Sequence, residues 1–576
     1  MVNKKIIFLQ TGIALLLLAL SLQASAADIN DPAVFEWQYY LSTNADLPAA
    51  GLFTETQARD HWNTHGIYEG RKASPCFWSS DYLRRNPDLI AAFGPTNYAA
   101  AVTHYLDFGI REGRSGLSNS PSSCRSDRVV SKPSPGQSAA FYLAGSRTPF
   151  SPRGVNYLRV YNNQIPTTFD VGYYSSAAAE STLAQLSASG YNYVRVLLTG
   201  PISSNGFGRS TPGIPMDYVG NISDFLVRAR RYGIRVQLTG SWIPANYSSI
   251  VDSVASPPHV SGVNAVILHP GYAKAQAQFF TDLLTTLNIV TPDILNIVFA
   301  IDIFNEAFFS VTDEPFSLGN GILTFGGVQY DMSNNASRQQ LADGASVTWL
   351  NTIAQAIKSV APHILVSTSV FTPEAVGRSG FDGLRSLGPG TDSRFPLRPK
   401  ILMLYSQADY LDVHVYPSGP NFNVEHDLGS AEIASSDPWS KPLLMGEYGA
   451  FKHIFPDKVS AATALKKLLT SSCSLGFSGW GMWTWDTSEQ NPQLWTMTED
   501  SGAMNGALAP AAWNSVCAID PGLFRTPSAV YYSNGSHYCG FASWDDFVRL
   551  TGLRDISSVQ QVSRIPVGMV NDGACH

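Results

Sequence analysis

Apolar residues along the middle of the chain come in short runs of β type, and stretches of helical pattern lie between several of them. The β-type runs are "RGVNYLRVY", "YNYVRVLL", "IRVQLTG", "NIVFAIDIF", "HILVSTSVF", "YLDVHVYP", "KPLLMGEYG" and "GFSGWGMWTW". Helical stretches fall at 176–189, 218–231, 271–287, 337–360 and 459–472. Eight strand–helix units in about 380 residues predict a (β/α)8 barrel over residues 138–518, an α/β fold. The pattern also raises a problem. A run that is apolar except for Asp302 ends in Asn305 and Glu306, and another ends in Glu447. Isolated carboxylates at the tips of buried strands are costly unless they have work to do.

The ends of the chain read differently. Residues 1–26 have a basic start (Lys4, Lys5), an apolar stretch and "ASA" at 24–26, the pattern of a secretory signal peptide. No other run reaches the ~18 apolar residues needed to span a bilayer. Within residues 27–116 the pattern repeats: "YLSTNADL" (40–47) returns as "YLRRNPDL" (82–89), and "HWNTHGIYEGR" (61–71) as "HYLDFGIREGR" (104–114). Self-similarity at an offset of 42–43 residues predicts a tandem of small helical units sharing a core. The matched Asn44/Asn86, His61/His104 and Arg71/Arg114 are expected to cap helices and hold turns rather than bind a ligand. Residues 117–137, rich in Ser and Pro, read as a linker, and residues 519–576 as a small disulfide-held module.

Composition narrows the function. The formal charge of −7 gives nucleic-acid binding no electrostatic support. Only 14% of residues are charged, and 12 Trp, 25 Tyr and 29 Phe suit either a large aromatic core or a surface for neutral ring-shaped ligands. The six cysteines allow 15 pairings. Pairing neighbours within each segment gives 76–124, 473–517 and 539–575, and none has metal-ligand spacing.

In a (β/α)8 barrel, reactive groups project from the C-terminal ends of the strands, and the fourth and seventh strands lie roughly across the mouth from each other. Glu306 and Glu447 can therefore converge. Paired carboxylates are suited to cleaving a glycosidic bond: one protonates the leaving oxygen, and the other attacks the anomeric carbon or activates water. Arg195, in "YVRV", is placed to lie under Glu447, and an opposite charge nearby favours the carboxylate. Residues two apart on a strand face the same side. That predicts that His414 and Tyr416 point together, and likewise Trp483 and Trp485. Asn305 is a candidate donor to a sugar hydroxyl. Trp242 is a candidate extra platform or a residue packing on its own loop.

"RGVNY", "YVRV", "FNE", "HVYP", "GEYG" and "GMWTW", in that order, resemble glycoside hydrolase family 5 of clan A, the cellulase and mannanase barrels. The resemblance covers roughly residues 138–518. It implies Glu306 as acid/base, preceded by Asn305, and Glu447 as nucleophile. It also implies Arg195 as the buried Arg near the nucleophile, His414 and Tyr416 as the pair on the sixth strand, and Trp483 or Trp485 as the sugar platform. The family often carries a His at the end of the third strand, where this chain reads "QLTGSW" (237–242). The expectation is a secreted, monomeric, retaining β-glycoside hydrolase acting on a neutral β-linked polysaccharide such as a β-glucan or mannan, with no cofactor or metal. Its rival is a carbohydrate-binding or wall-adhesion protein on an inactive barrel.

Overall fold

The computed structural model describes residues 29–117, 128–131, 140–143, 150–198, 211–433, 441–517 and 522–575, save for 31–33, 36, 75–76, 110–113, 162–164, 293, 387–389, 514–515, 534–536, 552–555, 557–558, 563–564 and 566–569. The signal peptide, Cys76, Cys124 and most of the stretch 117–137 lie outside the described residues. The chain divides into one unit over Met1–Arg125 and another over Ser126–His576.

In the first unit the repeat is visible as repeated bonding. Helices Trp37–Thr43 and Glu55–His61 are matched by Ser79–Arg85 and Tyr98–His104, and a π-helical turn follows in each copy, Trp62–Gly66 and Tyr105–Gly109. The Tyr40 hydroxyl meets His61 Nδ1 at 2.8 Å, and that of Tyr82 meets His104 Nδ1 at 3.0 Å. The glycine of each "HG" or "FG" step makes room for this tyrosine. A β-carbon at Gly66 or Gly109 would lie 2.0 or 2.2 Å from the hydroxyl. Asn44 and Asn86 donate to the carbonyls of Tyr40 and Tyr82 at 2.8 and 2.7 Å. Arg71 and Arg114 clasp Asp46 and Asp88. These side chains close helix ends and turns around a core that includes Phe35, Trp62, Phe77 and Tyr105.

The second unit contains the barrel. Its strands are β1 Arg153–Tyr157, β2 Tyr193–Leu197, β3 Arg235–Thr239, β4 Val298–Asp302, β5 Leu365–Ser367 continued by Ser369–Phe371, β6 Leu411–His414, β7 Leu443–Tyr448 and β8 Phe477–Met482. All neighbours are parallel. The first half of β5 pairs with β4, the second half pairs with β6, and Thr368 bridges the two halves. That break closes the sheet: β8 pairs with β1, so no edge remains. Strands covered on both faces are mostly apolar along their length, which is why they read as near-continuous runs rather than alternations.

Helices follow in turn: α1 Ser176–Ala188, α2 Met216–Arg231, α3 Pro270–Val290, α4 Asn335–Val360, α5 Pro399–Tyr405, α6 Val424–Ser430, α7 Lys458–Ser474 and α8 Glu499–Leu508. Ser175, Asn334 and Asp457 start α1, α4 and α7 by accepting from exposed N–H groups of the first turn. The N-terminal end of the barrel is sealed by Phe141, Phe150, Tyr193, Phe299, Leu365, Tyr410 and Leu444, joined by Val129. Val129 belongs to Val129–Ser131, which pairs with Phe141–Leu143, so part of the Ser/Pro-rich stretch is a strand. After β4 a hairpin, Ile322–Phe325 with Val328–Asp331, turns on Gly326 and Gly327, both at positive φ.

Cys473 and Cys517 are bridged, as are Cys539 and Cys575. The latter bond lies in a five-stranded sheet at the C-terminal end, where Trp544–Thr551 is helical. No helix of the described residues is long and apolar enough to cross a membrane.

Candidate active site

Glu306 follows β4 by a short turn held on several sides. Asn305 N–H donates to the Gly240 carbonyl at 2.9 Å and Ala307 N–H to that of Ser369 at 3.0 Å. Glu306 N–H itself donates to Ser369 Oγ at 2.8 Å. Within this clamp Glu306 has φ +53°, a left-handed conformation that non-glycine residues avoid. Such strain costs on the order of 1–3 kcal/mol and persists where the surroundings dictate it, commonly at functional sites. Glu447 lies within β7. The preceding Gly446 donates its N–H to Asp412 Oδ1 at 2.8 Å, and a β-carbon there would lie 2.2 Å from the same oxygen. The close approach of Asp412 explains the Gly in "GEYG".

The turn after β4 and the end of β7 bring the carboxylates together. Glu306, His414 and Glu447 each offer one ligand-type atom, and these three atoms lie within 4.8 Å of one another. His414 Nδ1 stands 3.0 Å from Glu306 Oε1 and 3.4 Å from Glu447 Oε2, so one ring nitrogen faces both acids. Glu447 is almost fully buried. Its Oε1 accepts from Arg195 Nη1 at 2.7 Å and its Oε2 from the Tyr416 hydroxyl at 2.8 Å. Glu306 keeps 27% of its side-chain surface open at the mouth.

A buried polar layer supports the pair from below. Arg195 donates to Asn156 Oδ1 and Glu447 through Nη1, and to Asp302 Oδ2 and Asn305 Oδ1 through Nη2, all at 2.7–2.9 Å. Asn156 passes the link on to the carbonyls of Gly446 and Met482. Asp302 accepts from Ser369 N–H at 2.8 Å, and Gln237 donates to Asp412 at 2.8 Å. His414 Nε2 has no hydrogen-bond partner among the described residues and lies 3.9 Å from Asp412 Oδ1.

Charge states follow from this packing. Burial raises the Glu306 carboxyl above its usual range, against the opposing pull of Arg394 and Arg195. The carboxyl is surrounded closely enough by protein for burial to outweigh both cations, even with part of the side chain open. Burial pushes His414 down to about 4, although Glu447 opposes this, so the imidazole is neutral near pH 7. Burial works against the Arg195 cation, but Glu447, Asp302 and Asp412 outweigh it and raise its pKa. Asp412 is raised, first by burial and then by Asp302, with Arg195 opposing.

Glu306, His414 and Glu447 also form the one cluster of three or more metal-ligating side chains among the described residues. Both Glu447 oxygens already accept hydrogen bonds, and a cation there would sit beside the Arg195 guanidinium. The donor set therefore fits proton chemistry better than cation binding.

No family model matches the chain, and no curated protein does. Solved structures with a similar course include the endo-1,4-β-mannanase from Rhizomucor miehei, at 15% identity and TM-score 0.44 over 67% of this chain and 100% of that one. A glycoside hydrolase family 5 mannosidase from the same organism gives 15% identity and TM-score 0.42 over 67% and 98%. The exo-β-1,4-mannosidase Op5Man5 from Opitutaceae bacterium strain TAV5 gives 16% and 0.39 over 63% of this chain and 56% of its own length. Likenesses this distant decide nothing about activity, which has to be argued from the site.

Arg195, Asn305, His414 and Tyr416 thus meet around the two carboxylates. The tryptophans divide. The Trp483–Thr484 peptide is cis, and Trp483 is half-buried with its Nε1 near Gln490 Oε1 at 3.5 Å. Trp485 is 2% exposed and packs edge-on against Tyr191, so it belongs to the core. β8 ends at Met482, so the strand alternation on which the expectation of a shared side rested stops before either tryptophan. Trp242 is 37% exposed and stands edge-on to Phe304 at 5.5 Å, beside a small apolar recess with Ala307, Phe308 and Trp349. Sequence reasoning missed Asn156, Gln237 and Ser369. Their signal was a polar residue inside an otherwise apolar strand.

Proposed function

We propose that the chain is a secreted retaining β-glycoside hydrolase of the family 5 type, acting on a neutral β-linked polysaccharide such as a mannan or β-glucan. One observation carries the reading: carboxylate oxygens of Glu306 and Glu447, 141 positions apart by number (447 − 306), come within 4.8 Å of each other at the mouth of the barrel. Retaining enzymes hold their two carboxyl groups about 5–5.5 Å apart, and inverting enzymes about 6.5–9.5 Å.

In this reading Glu447 attacks the anomeric carbon as the glycosidic C–O bond breaks, and the Glu306 proton passes to the departing oxygen. A glycosyl ester on Glu447 results. Water then gives a proton to Glu306 while its oxygen attacks the same carbon. The ester bond breaks, both carboxyl groups return to their starting forms, and the anomeric configuration is retained. Glu306, raised by burial, is suited to carry the first proton. Arg195 and Tyr416 hold both Glu447 oxygens and so aim the nucleophile. Neutral His414 spans the two acids without adding charge. Asn305 Oδ1 is held by Arg195, which leaves its Nδ2 for a sugar hydroxyl. Trp483 is the platform candidate. The signal sequence and the disulfides favour export. We assign residues 27–116 and 519–576 as accessory modules.

A reducing-sugar assay over mannan, mixed-linkage glucan, cellulose, xylan and laminarin, with proton NMR of the first product released, tests the reading. The expected outcome is hydrolysis of at least one substrate with the β-anomer appearing first. No release from any of them would favour the rival, an inactive carbohydrate-binding barrel. The α-anomer appearing first would contradict retention.

A further inference from the structure

The excursion after β5 returns to the mouth as a short strand, Arg394–Pro396, antiparallel to Phe308–Ser310, the segment that leaves Glu306. The register sets Arg394 opposite Ser310 and Pro396 opposite Phe308. The Arg394 guanidinium lies over the ring of Phe371, 5.0 Å from its centroid, and Phe371 is the β5 residue paired with His414. Asp392 holds the guanidinium through Nε at 3.1 Å and Nη2 at 2.7 Å. Nη1 donates to no protein atom among the described residues, and the side chain is 40% exposed. A planar fork is thus fixed on one edge by a carboxylate and on one face by an aromatic ring, with its remaining edge open to solvent.

The surroundings indicate which side of the cleavage point this edge serves. Arg394 is anchored by the pairing with the segment that follows Glu306 and by Phe371, the partner of His414, whose Nδ1 is 3.0 Å from Glu306 Oε1, and its charge bears on that acid. An acid that protonates a glycosidic oxygen is flanked, on the side away from the nucleophile, by the sugar being released. With one edge of Arg394 taken up by Asp392, the other edge offers directional donors of the kind that suit neighbouring hydroxyls of a sugar.

We propose that Arg394 is a specificity-determining residue for the leaving-group sugar, its open Nη1 edge hydrogen-bonding the hydroxyls of the unit that Glu306 releases. The inference rests on the glycoside hydrolase reading. It is tested by comparing an oligosaccharide with a 4-nitrophenyl β-glycoside of the same sugar. The phenolate of the latter departs without protonation and places no sugar beside Arg394. In Arg394→Met, kcat/KM should fall about 10-fold or more further on the oligosaccharide than on the aryl glycoside. Arg394→Lys keeps the charge but not the fork, so the same selective loss should persist.

The pH profile gives an independent readout. Glu306 is faced by His414 and Glu447, by Tyr416 and Arg195, and by Arg394 with its partner Asp392. Removing the cation makes Glu306 harder to deprotonate, so the basic limb of the oligosaccharide profile moves to higher pH in Arg394→Met and stays near wild type in Arg394→Lys. Equal losses on both substrates, in either variant, would overturn the proposal. A wild-type protein that hydrolyses neither substrate would overturn the glycosidase reading itself, and the proposal with it.

Discussion

The tandem unit and the barrel use much the same polar residues for opposite ends. In the tandem unit Tyr40 meets His61, and Arg71 meets Asp46; the second copy repeats both pairs with Tyr82, His104, Arg114 and Asp88. Each group finds its partner inside its own copy, and the arrangement is complete. In the barrel Arg195, Asp302, Asp412, Glu447 and His414 come from four different strands and do not balance. One cation faces three acids, one imidazole nitrogen faces two carboxylates, and the other has no hydrogen-bond partner among the described residues. Polar chemistry that closes on itself is architecture, whereas polar chemistry left with spare capacity at an opening is a site. The matched residues of the repeat read in sequence as holders of helix ends and turns, and their bonding is of that kind.

The comparison can be broken most directly at Glu447. Glu447→Ala should lower turnover about 10⁴-fold or more while leaving binding of the polysaccharide measurable by calorimetry. Retained turnover would mean that the barrel chemistry resides elsewhere. Arg195→Met is expected next in size. It strands Asp302 and Glu447 without their shared cation, and breaking buried pairs costs about 3–5 kcal/mol. Denaturant midpoints measure the loss. A midpoint within about 1 kcal/mol of wild type would show that the buried layer is not coupled as described.

A third test asks whether unbalanced charge in the barrel unit is confined to the site. Asp427, on α6, is held up to about 7, chiefly by burial, with Thr372 opposing and Glu374 adding to the rise. In the unfolded chain the same group ionises near 3.8. The folded state therefore holds this proton more tightly. The resulting stability is full below pH 4 and is lost as pH rises through 7, by at most about 1.4 kcal/mol per pH unit. Asp427→Asn removes that slope, so its melting temperature relative to wild type should climb between pH 4 and pH 8. A constant difference would contradict the assignment. The smallest effect belongs to the tandem unit. Tyr82→Phe deletes one hydrogen bond to His104 and should cost about 1 kcal/mol in that unit, with hydrolysis by the barrel untouched. Lost hydrolysis would give the repeat a catalytic part that its closed bonding does not suggest.

Much of the barrel was legible in sequence because strands buried on both faces are mostly apolar, which makes eight such runs conspicuous. The carboxylates were legible for the complementary reason, since Glu306 and Glu447 interrupt the apolar pattern where it is expensive to interrupt. What stayed hidden depends on geometry that composition does not carry. Trp485 reads like Trp483 until the strand is known to end at Met482. Ser369 becomes a clamp on Glu306 only because β5 breaks at Thr368. Arg394 lies 88 positions from Glu306 by number (394 − 306), in a segment whose pairing with Phe308–Ser310 no local pattern announces.

The central claim is that Glu447 and Glu306 act on one glycosidic bond. It is tested most directly by incubating the protein with activated 2-deoxy-2-fluoro-β-glycosides of mannose and glucose, then mapping the adduct by peptide mass spectrometry. The account predicts a single glycosyl ester on Glu447, absent from Glu447→Gln and slow to hydrolyse. An ester on another carboxylate, or no ester from a protein that hydrolyses the parent sugar, would contradict it.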